Sequence, residues 1–216
     1  MRNQNTEEVS GFEGSHDAMG CVQRTVKRLF DIVFSLAGMI ILSPVYLVIA
    51  IMLKRQKNGP AIFSQERIGY RGKPFTIYKF RTMKKDAEGG GIPKLVETPD
   101  DPRLTIIGAK LRKHHLDELP QLWNVIKGDM AFIGPRPERK YYIDKIMQHD
   151  PRYEQLYALR PGVTSYATLY NGYADTMEKM LRRLDMDISY LEHRSLWLDT
   201  KIIIKTALSI VTGRKF

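Results

Sequence analysis

The sequence predicts an α+β fold that is mostly helical, with an apolar N-terminal membrane segment, a small β-hairpin and a series of amphipathic helices. Three observations carry this. One long apolar run at 29–53 is interrupted by Ser43-Pro44, residues 61–83 alternate with period two around turn-prone residues, and helical periodicity runs from Leu104 onward between prolines and glycines. A length of 216 residues suits one globular domain with an appendage. With 43% hydrophobic and 27% charged residues, wholesale disorder, collagen-like and low-complexity classes are excluded. Lys and Arg number 34 against 24 Asp and Glu, a formal charge of +10, which favours nucleic acid, anionic lipid or phosphorylated ligands as partners. Cys21 is the single cysteine, so an internal disulfide and a cysteine-built zinc site are excluded and a reducing compartment is compatible.

Residues 1–26 are expected to be a disordered polar tail. Between Met1 and Gly20, Glu7, Glu8, Glu13 and Asp17 face Arg2 alone, among scattered Gly, Ser and Asn. No apolar run precedes Leu29, so a signal-peptide core is absent from this stretch. Residues 29–53 then hold a single charge, Asp31. A straight helix over that run would measure about 37 Å against a hydrocarbon core of about 30 Å, so a tilted span is one reading. Pro44 removes a backbone donor and clashes with the preceding turn, which bends the helix into arms of about 21 Å and about 14 Å, neither long enough to cross alone. Arg24, Lys27 and Arg28 precede the run and Lys54, Arg55 and Lys57 follow it. Cations at both ends orient no span and suit a hairpin with both ends on one face. A kinked span and a hairpin remain open on these grounds, with a buried core helix as a third reading.

Residues 61–64 and 75–83 flank Gly69-Tyr70-Arg71-Gly72-Lys73-Pro74 and read as a β-hairpin. In the second strand Phe75, Ile77, Lys79 and Arg81 share one face, so two cations project together. A charged edge strand would look the same. Residues 86–102 contain a triple glycine and several prolines without a period, and are expected to be a long loop. A helix follows from Leu104 to His114-His115. A second carries Leu116, Leu119, Leu122, Trp123 and Ile126 on one stripe, with Pro120 near its first turn and Gly128 closing it. Asp117 and Glu118 then lie at or just before a helix N-terminus, whose free amides and dipole also attract phosphate. Residues 138–148 and 151–159 read as short helices, Arg160-Pro161-Gly162 as a break, and 176–211 as one long helical stretch with an apolar end. Such faces, rich in Lys, Arg and aromatics, suit a lipid headgroup layer as well as a protein core.

The clusters with chemical potential are few. Asp117-Glu118 pairs adjacent carboxylates, and Arg136 stands between Pro135 and Pro137, which fix where its guanidinium points. His114-His115 has no third ligand at metal spacing. A phosphate-binding glycine loop, a dinucleotide fingerprint and a nucleophile elbow are all missing. These residues alone describe a basic, membrane-attached domain with acids near a helix start, and a basic protein that binds nucleic acid through net charge stays open beside it.

The strings go further. KRLFD at 27–31, the Ser43-Pro44 break, KFRTM at 79–83, LDELPQLWNVIKGDM at 116–130, GPRP at 134–137 and RPGVT at 160–164 occur in this order. Together they closely resemble the bacterial sugar transferase family, the monotopic polyprenyl-phosphate phosphoglycosyl transferases, in their minimal form. The resemblance implies transfer of a sugar 1-phosphate from a UDP-sugar to undecaprenyl phosphate, with release of UMP, at the start of surface polysaccharide or glycan assembly. It implies Asp117 as nucleophile of a phosphoaspartyl intermediate and Glu118 as the second catalytic carboxylate, a base or a ligand that with Asp117 holds Mg²⁺. By the same resemblance Lys79, Arg81, Arg112, Arg136 and Arg160 bind substrate phosphate.

It also implies that 27–57 is a re-entrant membrane helix broken at Ser43-Pro44, and that 58–216 is a cytosolic catalytic domain with interfacial helices. The expected location is the cytoplasmic face of the bacterial inner membrane. The partners implied are the UDP-sugar, undecaprenyl phosphate and membrane lipids, with no nucleic acid and with homo-oligomerisation left open. One departure is His114-His115, where relatives often carry Thr-Ser; its effect on loop geometry or pH response is left open. The pocket that selects the sugar is expected from 86–102 and from the region after Gly162.

Overall fold

A computed structural model describes residues 17–57, 59–85, 87, 101–171 and 174–212. The chain runs α1 (Cys21–Ile41), α2 (Ser43–Arg55), β1 (Ile62–Ile68) and β2 (Pro74–Phe80), the strands joined through a 3-10 turn at Tyr70–Gly72. It continues through α3 (Ile106–Lys113), a 3-10 turn at Leu116–Glu118, α4 (Gln121–Lys127), β3 (Ala131–Ile133) and α5 (Lys140–His149). A 3-10 stretch at Pro151–Ala158, β4 (Gly162–Thr164), α6 (Tyr166–Asn171), α7 (Met177–His193) and α8 (Leu196–Thr212) complete it. β1 and β2 are antiparallel, with Ile62 opposite Phe80 and Ile68 opposite Pro74. The fold is therefore mostly helical with a small antiparallel sheet, as the periodicities indicate.

Three elements differ from the sequence reading. β3 and β4 form a parallel pair, Ala131 with Gly162 and Ile133 with Thr164. Strands this short carry no readable period. The helical stretch at 176–211 is two helices, because Arg194 is extended (φ −63°, ψ 140°) at the C-cap of α7. The expected tail is ordered from Asp17 onward, and α1 starts at Cys21 rather than at Lys27. Asp17 accepts from Arg194 Nε at 2.6 Å and Nη2 at 2.5 Å, the Ala18 amide donates to the Leu191 carbonyl at 3.2 Å, and Met19 is buried. A local composition cannot show such a partner at the far end of the chain. The rest of the expected tail, residues 1–16, and most of the expected loop, residues 86 and 88–100, lie outside the described residues.

α1 and α2 meet at Leu42 with a bend of 61°. Pro44 sits in the first turn of α2, where its missing N–H leaves no intrahelical bond unmade. Among the described residues no single helix is long and apolar enough to cross a membrane; the bent pair meets that test of length and composition only when taken together. α1 is polar on its inward face. Lys27, Asp31 and Ser35, at four-residue spacing, are buried, whereas Leu29, Phe30, Val33, Phe34, Ile40 and Ile41 are exposed. Lys27 Nζ lies 2.8 Å from Asp199 Oδ2 on α8 and 3.7 Å from Asp31 Oδ1, and the Phe132 amide donates to Asp31 at 3.2 Å. Buried charge survives here because it is paired.

The core lies in four clusters that frame the site. Tyr142, Ile146, Leu156, Leu184 and Ile188 join α5, the 3-10 stretch and α7. Ile133, Leu159, Leu191 and Ile202 join β3 to α7 and α8. Ile49, Leu53, Phe80 and Leu111 pack α2, β2 and α3 together. Ile77, Val125 and Met130 seat β2 on α4.

Candidate active site

Three segments converge on the Asp117-Glu118 pair. β2 presents Lys79, the 3-10 turn presents the carboxylates, and the loop after β3 presents Arg136. Lys79 Nζ donates to Glu118 Oε1 at 2.7 Å, and Arg136 Nη1 stands 3.7 Å from the same oxygen. Asp117 is 6% exposed.

The placement follows from the surrounding packing. Asn124, wholly buried in α4, accepts from the Tyr78 amide at 3.1 Å and donates to the Thr76 carbonyl at 2.7 Å, so β2 is bonded sideways to the helix that follows the carboxylates. The Tyr46 hydroxyl donates to the Leu119 carbonyl and ties α2 to the same turn. α3 crosses the end of β2 so closely that a Cβ on Gly108 would stand 1.9 Å from the Thr82 carbonyl oxygen. His115, left-handed at φ 53°, then reverses the chain into the turn.

The Arg136 loop depends on a second crossing, where β3 runs past β4. A Cβ on Gly134 would lie 2.1 Å from the Arg160 carbonyl oxygen, and one on Gly162 would lie 2.2 Å from the Gly134 nitrogen. Two of the motifs thus meet backbone to backbone. Gly134→Ala is expected to destabilise the protein by about 1–3 kcal/mol, since the strands must part to admit the methyl group. A melting temperature equal to that of the unmodified protein would contradict this.

Burial and charge separate the two carboxyls. Burial raises Asp117, and the neighbouring Glu118 charge raises it further, against opposing contributions from Lys79, Arg112 and His115. Burial acts on Glu118 in the same sense, but Lys79 and Arg136 outweigh it and hold that carboxyl well below the ordinary range. Glu118 therefore stays ionised inside its cations, while Asp117 keeps a proton to higher pH than a free aspartate. Neighbouring acids whose ionisation diverges beside several cations mark this pair as the candidate site.

The model of the bacterial sugar transferase family matches residues 22–213. The chain belongs to the bacterial sugar transferase family. The chain is 37% identical over 188 residues to a UDP-N-acetylgalactosamine-undecaprenyl-phosphate N-acetylgalactosaminephosphotransferase of Aeromonas hydrophila, covering 87% of the chain and 44% of the relative. It is 38% identical over 187 residues to a UDP-glucose:undecaprenyl-phosphate glucose-1-phosphate transferase of Escherichia coli (strain K12), covering 86% of the chain and 40% of the relative. An exopolysaccharide production protein of Rhizobium leguminosarum bv. phaseoli is 37% identical over 196 residues, which cover 88% of the chain and 97% of that protein. The chain spans less than half the length of the first two relatives.

The residues expected at the site separate into two groups. Lys79, Arg112, Arg136, Asp117 and Glu118 are brought together, Arg112 through the field it exerts on Asp117. Arg81 is not. The last residue of β2 is Phe80, and the Arg81 guanidinium just beyond it donates to the carbonyls of Leu53 at 2.8 Å and Pro60 at 2.9 Å. It closes the C-terminus of α2 instead of joining Lys79 at Glu118. Arg160 also leaves the carboxylates, donating from Nε to the Gly128 carbonyl at 2.9 Å and stacking over Tyr70 at 5.1 Å. The β3–β4 crossing directs it to the end of α4. Ser43 and Pro44 stand at the bend, as expected.

Sequence reasoning passed over Asn124, Glu138 and Arg183. The first is a polar residue on an apolar stripe and the second follows the GPRP string directly, which were the available signals. Among the described residues no group of three or more His, Cys, Asp or Glu is placed to hold a metal ion.

Proposed function

We propose that this sugar transferase moves a sugar 1-phosphate from a UDP-sugar to undecaprenyl phosphate at the inner face of a bacterial cytoplasmic membrane, by way of a phosphoaspartyl intermediate on Asp117. The observation that carries this reading is the division of the pair: Glu118 is locked between Lys79 and Arg136, and Asp117 is the carboxyl left for covalent chemistry. The printed activities of the Aeromonas and Escherichia relatives support the substrates.

In the first step an Asp117 carboxylate oxygen bonds to the sugar-bearing phosphorus, and the bond to the UMP oxygen breaks with its electron pair. In the second, an undecaprenyl phosphate oxygen bonds to that phosphorus and the bond from phosphorus to the Asp117 oxygen breaks, its electron pair returning to the carboxylate. The carboxylate is restored and the lipid diphosphosugar leaves. Splitting one difficult displacement in two is the benefit of a covalent intermediate. Lys79, Arg112 and Arg136 offset the repulsion between a carboxylate and a diphosphate and stabilise charge on the departing UMP.

Asp117 and Glu118 are the residues that would hold Mg²⁺. Two carboxylates fit a cation that takes its other ligands from water and substrate phosphates, as Mg²⁺ usually does. The ion would add positive charge at the diphosphate.

The bent pair α1–α2 is read as re-entrant, lying in one leaflet with both ends on the cytoplasmic side. In α1 the apolar Leu29, Phe30, Val33 and Phe34 face outward while Lys27 and Asp31 are buried, the reverse of a helix docked in water. α8 extends this surface with exposed Trp197, Ile203, Ile204 and Leu208, while Lys201 lies over Trp197 at 5.1 Å. A hairpin keeps the site where a lipid phosphate and a cytosolic nucleotide sugar both arrive.

The test is product analysis with UDP-sugar, undecaprenyl phosphate and Mg²⁺ in detergent. UMP is expected; UDP would indicate a glycosyltransferase and inorganic phosphate a phosphatase, and either overturns the proposal. The capture step needs Asp117 ionised, so with its carboxyl raised the rate of donor-dependent labelling falls as pH drops from neutrality through that raised value. A labelling rate that stays flat until the ordinary aspartate range would contradict the assignment.

A further inference from the structure

Arg136 reaches Glu118 from a loop whose backbone is tied on both sides. The Gly134 amide donates to the Thr164 carbonyl at 3.2 Å and the Gly162 amide to the Pro135 carbonyl at 2.9 Å. Beyond Arg136, the Pro137 carbonyl accepts from Arg67 Nη1 at 3.3 Å and the Glu138 carbonyl from the Ile68 amide at 3.2 Å. The Glu138 side chain adds an anchor inside the domain. Its Oε1 accepts from Arg183 Nη1 of α7 at 2.7 Å, and Arg67 Nη1 stands 3.9 Å from its Oε2.

We propose that Glu138, held by Arg183, is a positioning residue for Arg136: their ion pair fixes the loop between β3 and α5 so that the Arg136 guanidinium stands against Glu118 and toward the donor's diphosphate. This rests on the sugar-phosphate transfer reading. Arg136 and Arg183 line the same small cavity as Glu138, Tyr153 and Asp187. Two guanidiniums so near one another need a carboxylate between them, and burial with the Arg136 charge pushes Arg183 down against the pull of Glu138. Asp187 supplies less. Burial lifts it to about 7, and its Oδ1 has no hydrogen-bond partner, so compensation falls to Glu138. Without that anchor the loop keeps its backbone bonds but loses the contact between Glu138 and α7, and a small displacement of a phosphate-binding group is costly.

The test is a double-mutant cycle on the full chain in detergent, reading kcat/KM for the UDP-sugar by UMP release. Glu138→Gln is expected to lower kcat/KM by about 10–100-fold in the native background and by less than about 3-fold in an Arg136→Ala background, because the group it positions is then gone. Glu138→Asp, which keeps the charge, is expected to recover part of the loss. Equal losses in both backgrounds, or none in either, overturn the proposal and leave the transfer reading intact. Should Glu138→Gln fail to fold, Arg183→Lys enters the same cycle; it keeps the charge while losing the second N–H of the fork, and the same two patterns decide. A native chain that releases no UMP overturns the transfer reading and takes this inference with it.

Discussion

Asp117→Asn is expected to abolish UMP release, with a loss on the order of 10⁴-fold or more, the scale seen when a covalent nucleophile is removed. The amide has nearly the shape of the carboxyl and occupies the same buried position, so the substitution removes chemistry and leaves packing in place. Incubated with donor alone, the native protein is expected to gain the mass of a phosphosugar at Asp117, and the variant none. Stability should move the other way. An aspartate whose folded pKa is raised loses stability as pH climbs from its ordinary value through the raised one, because the fold disfavours the ionised form. A neutral amide escapes that loss, so the inactive variant is expected to melt at or above the native temperature near neutral pH. Such a trade is common where function requires an unfavourable group. Activity within about tenfold of native would refute the nucleophile assignment, since general electrostatics alone supply the smaller factors.

Lys79→Met has the second-largest expected effect, through Glu118. The ammonium gives Glu118 its 2.7 Å partner, and Arg136 at 3.7 Å is a weaker substitute. Removing one member of a desolvated pair leaves the other charge uncompensated and costs about 3–5 kcal/mol, reduced here because both side chains keep some contact with solvent. With Lys79 gone, the Glu118 carboxyl rises toward the ordinary range, and the diphosphate loses a cation. Turnover is expected to fall about 10²–10³-fold, the usual scale for one preorganised electrostatic contact. Arg81→Met provides the contrast. Its guanidinium serves the carbonyls of Leu53 and Pro60, so its loss should lower the melting temperature with little change in kcat/KM. Equal kinetic losses from the two substitutions would mean that the separation of Lys79 from Arg81 is wrong.

Local pattern was enough for a good part of this protein. The apolar run with Pro44 in its middle required a bend, the alternation through Phe75, Ile77 and Lys79 required a strand, and Pro120 fixed the helix start just after the Asp-Glu pair. These are legible because each depends on residues within a few positions of one another. The ordered strings from 27–31 to 160–164 reached further and identified the family.

Tertiary contact decided the rest. Alternation placed Lys79 and Arg81 on one face, but what each cation meets depends on Glu118 and on the end of α2, 39 and 28 positions away. Asp17 belonged by composition to a tail, and Arg194, 177 positions on, makes it an anchor. Gly134 and Gly162 mark a crossing that only the β3–β4 pairing reveals. The sequence determined that two adjacent carboxylates stand just before a helix in a basic chain. Which of them stays ionised was decided by the fold, because the charge state of a buried acid is set by the cations and the solvent exclusion that distant segments bring to it.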